Sequence, residues 1–270
     1  MIVNKINSYL STNGQELPEE YLDEVSKHFR HIFDRQFGLK EAGERKLRLS
    51  SIGKCVRQNA YNLIGTENKG KEIDSRGRMT FFQGDMAELA IIALSRLSGC
   101  KVTSCGLNQE IVEILGIQGH PDGIVESDAN VKYLLEVKSM SSYSFKEFED
   151  GTYLTENEFG RSYLYQINAY MLAMELEWCV FVALNKDAGV LAERIIKADP
   201  VIQEDIKQRI LLLKAYTTVP PAGMLPARPY IPDSKGMLPA ACLYCGFWGH
   251  CWPTAEKVLV SRSYKLKVKS

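Results

Sequence analysis

The sequence predicts an α/β fold: a small mixed β-sheet flanked by helices, forming one main domain. Segments with helical spacing and short β-rich runs follow one another in the order helices, strands, helix, strands, helix. The β-rich runs are only a few residues long and are bounded by Gly, Pro, Asp and Asn. The helical segments carry apolar residues three or four apart, the spacing that lays one face against a sheet.

The elements follow in chain order. From Pro18, Leu22, Val25, Phe29, Ile32/Phe33 and Phe37 have helical spacing, with Pro18 near the first turn and Gly38 as the stop. Ser50 and Ser51 are placed to cap a short helix running through Cys55, Tyr61 and Leu63 to Gly65. Residues 67–77 are polar and read as a loop. A strong helix is expected over 79–97, with Phe82, Met86, Leu89/Ala90, Ala93/Leu94 and Leu97 as its stripe and Gly99 as its end. Residues 101–127 read as strands, interrupted at 116–119 and at Pro121-Asp122-Gly123, and 131–137 as another short strand. A helix over 161–176 precedes a strand pair, 178–184 and 190–196, joined by Asn185-Lys186-Asp187-Ala188-Gly189, and 201–216 is helical again. Six of the ten prolines then fall between Pro220 and Pro239, an extended connector into a cysteine-rich segment.

The 270 residues are 45% hydrophobic and 24% charged, which excludes wholesale disorder. No apolar run approaches the roughly 18–20 residues that span a bilayer. The opening residues lack the basic-then-apolar layout of a secretory signal, so the expectation is a cytoplasmic protein with no membrane partner. With 33 basic and 33 acidic residues, a nucleic-acid partner needs a local basic patch. One candidate is 35–78, with eleven Lys/Arg against five Asp/Glu; Lys257, Arg262, Lys265, Lys267 and Lys269 form another. Seven cysteines, an odd number, argue against a disulfide framework and for a metal site or buried thiols.

Four pieces carry candidate chemistry. Glu88 is the only charge between Met86 and Ser95 on a largely apolar helix, so it needs a cation, a metal or a route to water. Asp122 sits in Gly-His-Pro-Asp-Gly. In Glu136-Val137-Lys138, alternation sets a carboxylate and an amine on one strand face while Val137 points into the core. A carboxylate there suits Mg²⁺, and an amine beside it suits a water or phosphate. Gln166 and Tyr170 share a helix face at i,i+4. Each has an ordinary structural reading as well: a salt bridge, a hairpin turn, an edge ion pair, an aromatic helix face. Further on, Cys242-Leu-Tyr-Cys245 and Cys251 bring three thiols within ten positions. A fourth ligand is open among Cys55, Cys100, Cys105 and His250.

The joint order of these pieces resembles the PD-(D/E)xK nuclease superfamily, and more narrowly its RecB-like branch: Gly84-x-x-x-Glu88, then Gly-His-Pro-Asp-Gly, Glu-Val-Lys, and Gln-x-x-x-Tyr. The resemblance implies a restriction-endonuclease-like core. It makes Glu88, Asp122, Glu136 and the Val137 carbonyl ligands of Mg²⁺ or Mn²⁺, Lys138 the catalytic lysine, and Gln166 and Tyr170 a motif near DNA. One early cysteine followed by C-x2-C-x5-C also resembles the iron–sulfur members, which include the CRISPR-associated exonuclease family. Ser50 through Tyr61 matches the segment around their first ligand, which implies a [4Fe–4S] cluster on Cys55, Cys242, Cys245 and Cys251, with Zn²⁺ the competing occupant. That cluster would join the N- and C-terminal parts across 187 positions. Cys100, Cys105 and Cys179 are then core.

The resemblance covers about residues 50–253. The expected organisation is an N-terminal helical extension (1–48), a nuclease domain (49–254) and a basic C-terminal tail (255–270). The implied function is metal-dependent DNA hydrolysis, from ends or on single strands, with recombination, replication or CRISPR-adaptation proteins as partners. A non-catalytic DNA-end binding module and a zinc-stapled structural or regulatory protein are the alternatives.

Overall fold

A computed structural model describes residues 1–39, 46–66, 75–216, 225–260 and 263–269. Residues 67–74 of the expected loop, 217–224 of the connector region, 40–45 of the basic stretch, and Arg262 lie outside the described residues. The elements in chain order are α1 (Ile2–Leu10), α2 (Glu19–Phe37), α3 (Val56–Leu63), α4 (Ser75–Leu97), β1 (Lys101–Thr103), β2 (Val112–Ile114), β3 (Ile117–Gly119), β4 (Gly123–Glu126) and β5 (Lys132–Met140). There follow α5 (Ser142–Asp150), α6 (Tyr153–Glu156), α7 (Glu158–Ala173), β6 (Trp178–Asn185), β7 (Val190–Lys197), α8 (Pro200–Lys214), α9 (Ala240–Leu243), α10 (Trp248–Cys251), β8 (Ala255–Val260) and β9 (Ser263–Val268). Among the described residues, no helix is long and apolar enough to cross a membrane.

The main sheet has five strands in the order β1-β4-β5-β6-β7, so the fold is α/β with a mixed sheet flanked by helices. β5 and β6 run parallel and the other neighbours antiparallel. A parallel pair needs a long crossover, and α5, α6 and α7 supply it. The two central strands alternate between two apolar layers. Leu134, Cys179, Phe181 and Ala183 face α5, α7 and α8. Leu135, Val137, Val180 and Val182 face α1 and α4.

Local chemistry explains where the helices start. Asn157 accepts hydrogen bonds from Phe159 N and Gly160 N at the head of α7. Asp199 does the same for Val201 N and Ile202 N at α8, with Pro200 pre-set for the first turn. At the end of α5, the Arg194 guanidinium donates to the carbonyls of Phe148 and Glu149.

Several elements depart from the sequence reading. The helix expected from Ser50 begins at Val56 instead. Ser51 is spent on a 3-10 turn, its hydroxyl bonded to the Arg48 backbone, and Cys55 stands at the N-cap. The predicted interruption at 116–119 is a turn at Leu115–Gly116, where both residues have positive φ, and Ile117–Gly119 pairs as a strand. β5 continues three residues past the expected end, through Lys138 to Met140. α4 starts at Ser75 and buries Ala87, Leu89, Ile91, Ile92 and Ser95, whereas Ala90 of the expected stripe is exposed. Its two sides are covered by the sheet and by α2, so one stripe does not describe it. The C-terminal stretch read as a tail is the β8–β9 hairpin, with Leu266 buried against Leu238 and Cys242.

Gly53 couples the turn before α3 to α7. A Cβ there would stand 2.3 Å from Ser162 O and 2.7 Å from Tyr165 Cβ. Gly53→Ala is therefore expected to destabilise the protein by about 1–3 kcal/mol, read as a lower urea midpoint at unchanged m-value.

Candidate active site

The site forms where β4 and β5 begin to diverge. Asp122 lies just before β4, one step beyond the Gly123–Leu135 pair. Its Oδ2 accepts the Val137 N–H at 2.8 Å, a backbone donor the ladder leaves free. Gly119 shapes the approach to this turn. A Cβ there would lie 2.6 Å from Tyr170 Cε1 and 2.9 Å from Leu49 Cβ.

Glu136 and Lys138 share the β5 face turned toward α7, as alternation requires. Glu136 is fully buried. Its Oε1 accepts from Lys138 Nζ at 2.5 Å and from Gln166 Nε2 at 2.7 Å. Its Oε2 is buried with no hydrogen-bond partner. Lys138 Nζ also donates to the Val137 carbonyl at 3.0 Å and stands 3.7 Å from Asp122 Oδ2. The Tyr163 ring from α7 covers it, with the centroid 5.5 Å away. Glu88 reaches the cluster from α4, and Gln109 Nε2 donates to its Oε1 at 3.0 Å.

Burial sets the electrostatics. It pushes Glu88 up to about 8; Asp122 adds to the rise and Lys138 opposes it. Burial also lifts Glu136 to about 7, with Lys138 pulling down and Asp122 pushing up. For Lys138, burial favours the neutral amine, but Asp122 and Glu136 outweigh it and hold the ammonium well above the ordinary lysine range. Lys138 thus lies between Asp122 and Glu136, and its charge, with that of Arg35, opposes the rise at Glu88.

Gln166 and Tyr170, expected beside DNA, are turned inward. Gln166 holds Glu136, while Tyr170 is 1% exposed and hydrogen-bonded to the His120 backbone. Gln166 thus holds a carboxylate and Tyr170 the backbone just before Asp122, and neither is an open surface in this geometry. The sequence reading did not single out Tyr163 or Gln109. Tyr163 lies three residues before Gln166, so the spacing argument used for Tyr170 extends to it. Gln109 sits beyond a 3-10 turn and has no periodic signal.

The residues fit a hard divalent cation by their chemistry: three carboxylates and a carbonyl, one carboxylate oxygen buried and unpartnered. Among the described residues, no three His, Cys, Asp or Glu side chains are gathered at metal-holding distance, here or elsewhere. The Lys138 ammonium lies between the two strand carboxylates.

A cysteine-lined cavity lies near the start of α7, where Ala241 N donates to Glu158. Cys55, Cys242, Cys245 and Cys251 line one cavity, roofed by Tyr61, Trp248 and Trp252. Burial pushes Cys242 up to about 12 and Cys245 to about 11; Cys55 and Cys251 add to both shifts, while the Phe247 N–H draws Cys245 down. Arg57 Nε and Trp248 Nε1, both on the cavity wall, are buried donors with no partner. Four soft thiols with unspent N–H donors suit a thiolate-ligated centre. No described cysteine forms a disulfide. Cys105 and Cys179 are buried and Cys100 half-buried, away from this cavity.

No protein-family model matches the chain, and no curated protein matches it. Solved structures with partial likeness include an alkaline exonuclease (LHK-Exo) from Laribacter hongkongensis, 18% identical over 70% of this chain and 92% of that chain, TM-score 0.46. LHK-Exo in complex with dAMP is 19% identical over 70% and 94%, TM-score 0.45. SSO0001 is 16% identical over 85% and 95%, TM-score 0.42.

A carboxylate whose pKa is raised by folding binds its proton more tightly in the folded state, so its contribution is lost as pH rises through the folded value. In EDTA, the protein is expected to lose thermal stability between pH 4.5 and about 8 on account of Glu88. Glu88→Gln removes that part of the slope, giving a higher Tm than wild type at pH 8.5 and a smaller difference at pH 5. An unchanged slope in the variant would refute the assignment.

Proposed function

We propose that the protein is a metal-dependent DNA nuclease of the PD-(D/E)xK superfamily, in its RecB-like iron–sulfur branch, with a restriction-endonuclease-like core. One observation carries the reading. Glu136, fully buried and with one oxygen unpartnered, is clamped between Lys138 and Gln166, while Asp122 is fastened to the same strand through Val137 N. A buried carboxylate pair with a single ammonium is costly unless further positive charge arrives.

Asp122, Glu136, the Val137 carbonyl and Glu88 would hold Mg²⁺ or Mn²⁺, which when bound supplies Lewis-acid polarisation of a phosphate oxygen and a water of lowered pKa. This chain's residues do the remainder. Gln166 fixes the rotamer of Glu136, and Asp122 holds the β5 backbone so that the Val137 carbonyl keeps its direction. Lys138, kept charged by its two carboxylates and shielded by Tyr163, orients the attacking water or offsets charge growing on the phosphate. Attack in line with the 3′ oxygen then cleaves the phosphodiester.

Cys55, Cys242, Cys245 and Cys251 would hold a [4Fe–4S] cluster. Its part is architectural, because it ties the start of α3 to α9 and α10 and so closes the long loop between them. DNA with free ends or single strands is the substrate class of this reading, and proteins of recombination, replication or CRISPR adaptation are its partner class.

Glu136→Ala and Lys138→Ala are each expected to stay folded and to lower cleavage of end-labelled DNA roughly a hundredfold or more. Wild-type activity should require Mg²⁺ or Mn²⁺ and stop with EDTA; full activity in either variant removes the mechanism. Separately, anaerobically purified protein should be brown, with iron by elemental analysis, and Cys242→Ser should lose both colour and thermal stability. A colourless protein carrying zinc would assign the cavity to Zn²⁺ instead.

A further inference from the structure

α2 packs on α4 through the Val25 and Ile32 edge of its apolar spacing, while its aromatic residues lie at the rim, where Phe33 and Phe37 touch Phe82. Ile32 is its one buried residue, flanked on the inner side by half-buried Tyr21, Val25, His28 and Gln36. Tyr21 donates to the Ala93 carbonyl, Arg96 pairs with Glu24, and Arg35 and Gln36 both hold Asp85. The helices therefore run antiparallel, with the C-terminal half of α2 beside the N-terminal half of α4.

This arrangement turns a row of rings outward. Phe29, Phe33 and Phe37 are 42%, 51% and 41% exposed, and Phe81 on α4 is 54% exposed. The centroids of Phe29–Phe33, Phe33–Phe37 and Phe37–Phe82 are 6.1, 4.9 and 5.2 Å apart. Rings left in water on this scale call for an occupant.

We propose that this row is a stacking track for single-stranded DNA that feeds the carboxylate centre. Three features commit it to that occupant. The i,i+4 rise of about 6 Å is close to the distance between successive bases of an extended strand, and the rings, tilted 36° and 56° to one another, keep their outer sides exposed for bases to pack on. Arg30 lines the same groove as Phe29, Phe33 and Phe37, with Asp34 also on its wall, and Arg76 and Arg78 are exposed at the head of α4; Arg35 lies across the helix and is spent on Asp85. The row also leads along α4 toward the site, because Phe82 lies six residues, about 9 Å of helix rise, before Glu88 on the same helix. Stacked bases with phosphates on flanking cations is how single strands are held without sequence preference. The track supplies the open nucleic-acid surface that the inward-facing Gln166 and Tyr170 do not.

The proposal rests on the nuclease reading, and its test separates the two. Fluorescence anisotropy of fluorescein-labelled (dT)20, titrated with full-length protein in EDTA, reports binding without cleavage. Phe33→Leu and Phe37→Leu keep the apolar surface but remove the π-face, so each should weaken binding roughly tenfold. Phe33→Tyr should restore it, all at wild-type Tm. Wild-type affinity in both leucine variants overturns the track. So does a dimer in sedimentation velocity that Phe33→Asp dissociates, because the face would then belong to a second copy. Wild-type hydrolysis of p-nitrophenyl thymidine 5′-phosphate with Mn²⁺, too small to span the track, tests the centre alone. Its absence together with intact ring dependence removes the nuclease reading and leaves the track supported.

Discussion

A carboxylate with no exposure to water, on a central strand, is the constraint around which this molecule is arranged. Glu136 would be expensive to leave charged and alone, and everything near it reduces that cost. Lys138 brings the counter-charge from the same strand face, and Gln166 brings a neutral donor from across the layer. Asp122 spends one oxygen on Val137 N and leaves its charge facing the ammonium. The balance is incomplete, since one Glu136 oxygen has no partner and Glu88 adds a third carboxylate nearby. Such an imbalance is a poor way to stabilise a fold and a reasonable way to prepare a cation site.

α7 connects the two centres. Its inner face supplies Gln166 and Tyr163 to the carboxylates and Tyr170 to the turn before Asp122. Its first turn receives the other centre: Glu158 accepts the Ala241 N–H just before Cys242, and the turn ahead of Cys55 closes on Ser162 and Tyr165 through Gly53. A thiol cavity far away in sequence thereby bears on the helix that orients the buried Glu136 carboxylate. Damage at the cysteines would travel to the site as a shift of a packed helix.

The sequence was informative where a residue's role follows from short-range geometry. Two-residue alternation along β5 put Glu136 and Lys138 on one face, and the fold keeps them in contact; Cys242, Cys245 and Cys251, close in sequence, line one cavity with Cys55 without being gathered at metal-holding distance. The ends of α2, at Pro18 and Gly38, were legible from backbone chemistry alone. α1, α5 and the β8–β9 hairpin went unread because each is short, and α1 packs against segments distant in sequence. α1, for example, is headed by Glu193 of β7, which accepts from Ile2 N and Val3 N.

What the sequence by itself determined was which side chains share a strand or helix face, because periods of 2 and 3.6 are properties of the local backbone. Only the tertiary structure decided which way each face points. The apolar spacing on α2 is real, yet its aromatic row faces solvent, because the contacts of Ile32, Tyr21 and Arg35 with α4 set the helix rotation. Gln166 and Tyr170 share a face as expected, but the fold turns it onto a buried carboxylate. Cys55 joins cysteines nearly two hundred positions away only because both ends of the chain close on α7. Burial and long-range contact are sums over the whole packed chain, and no local period encodes them.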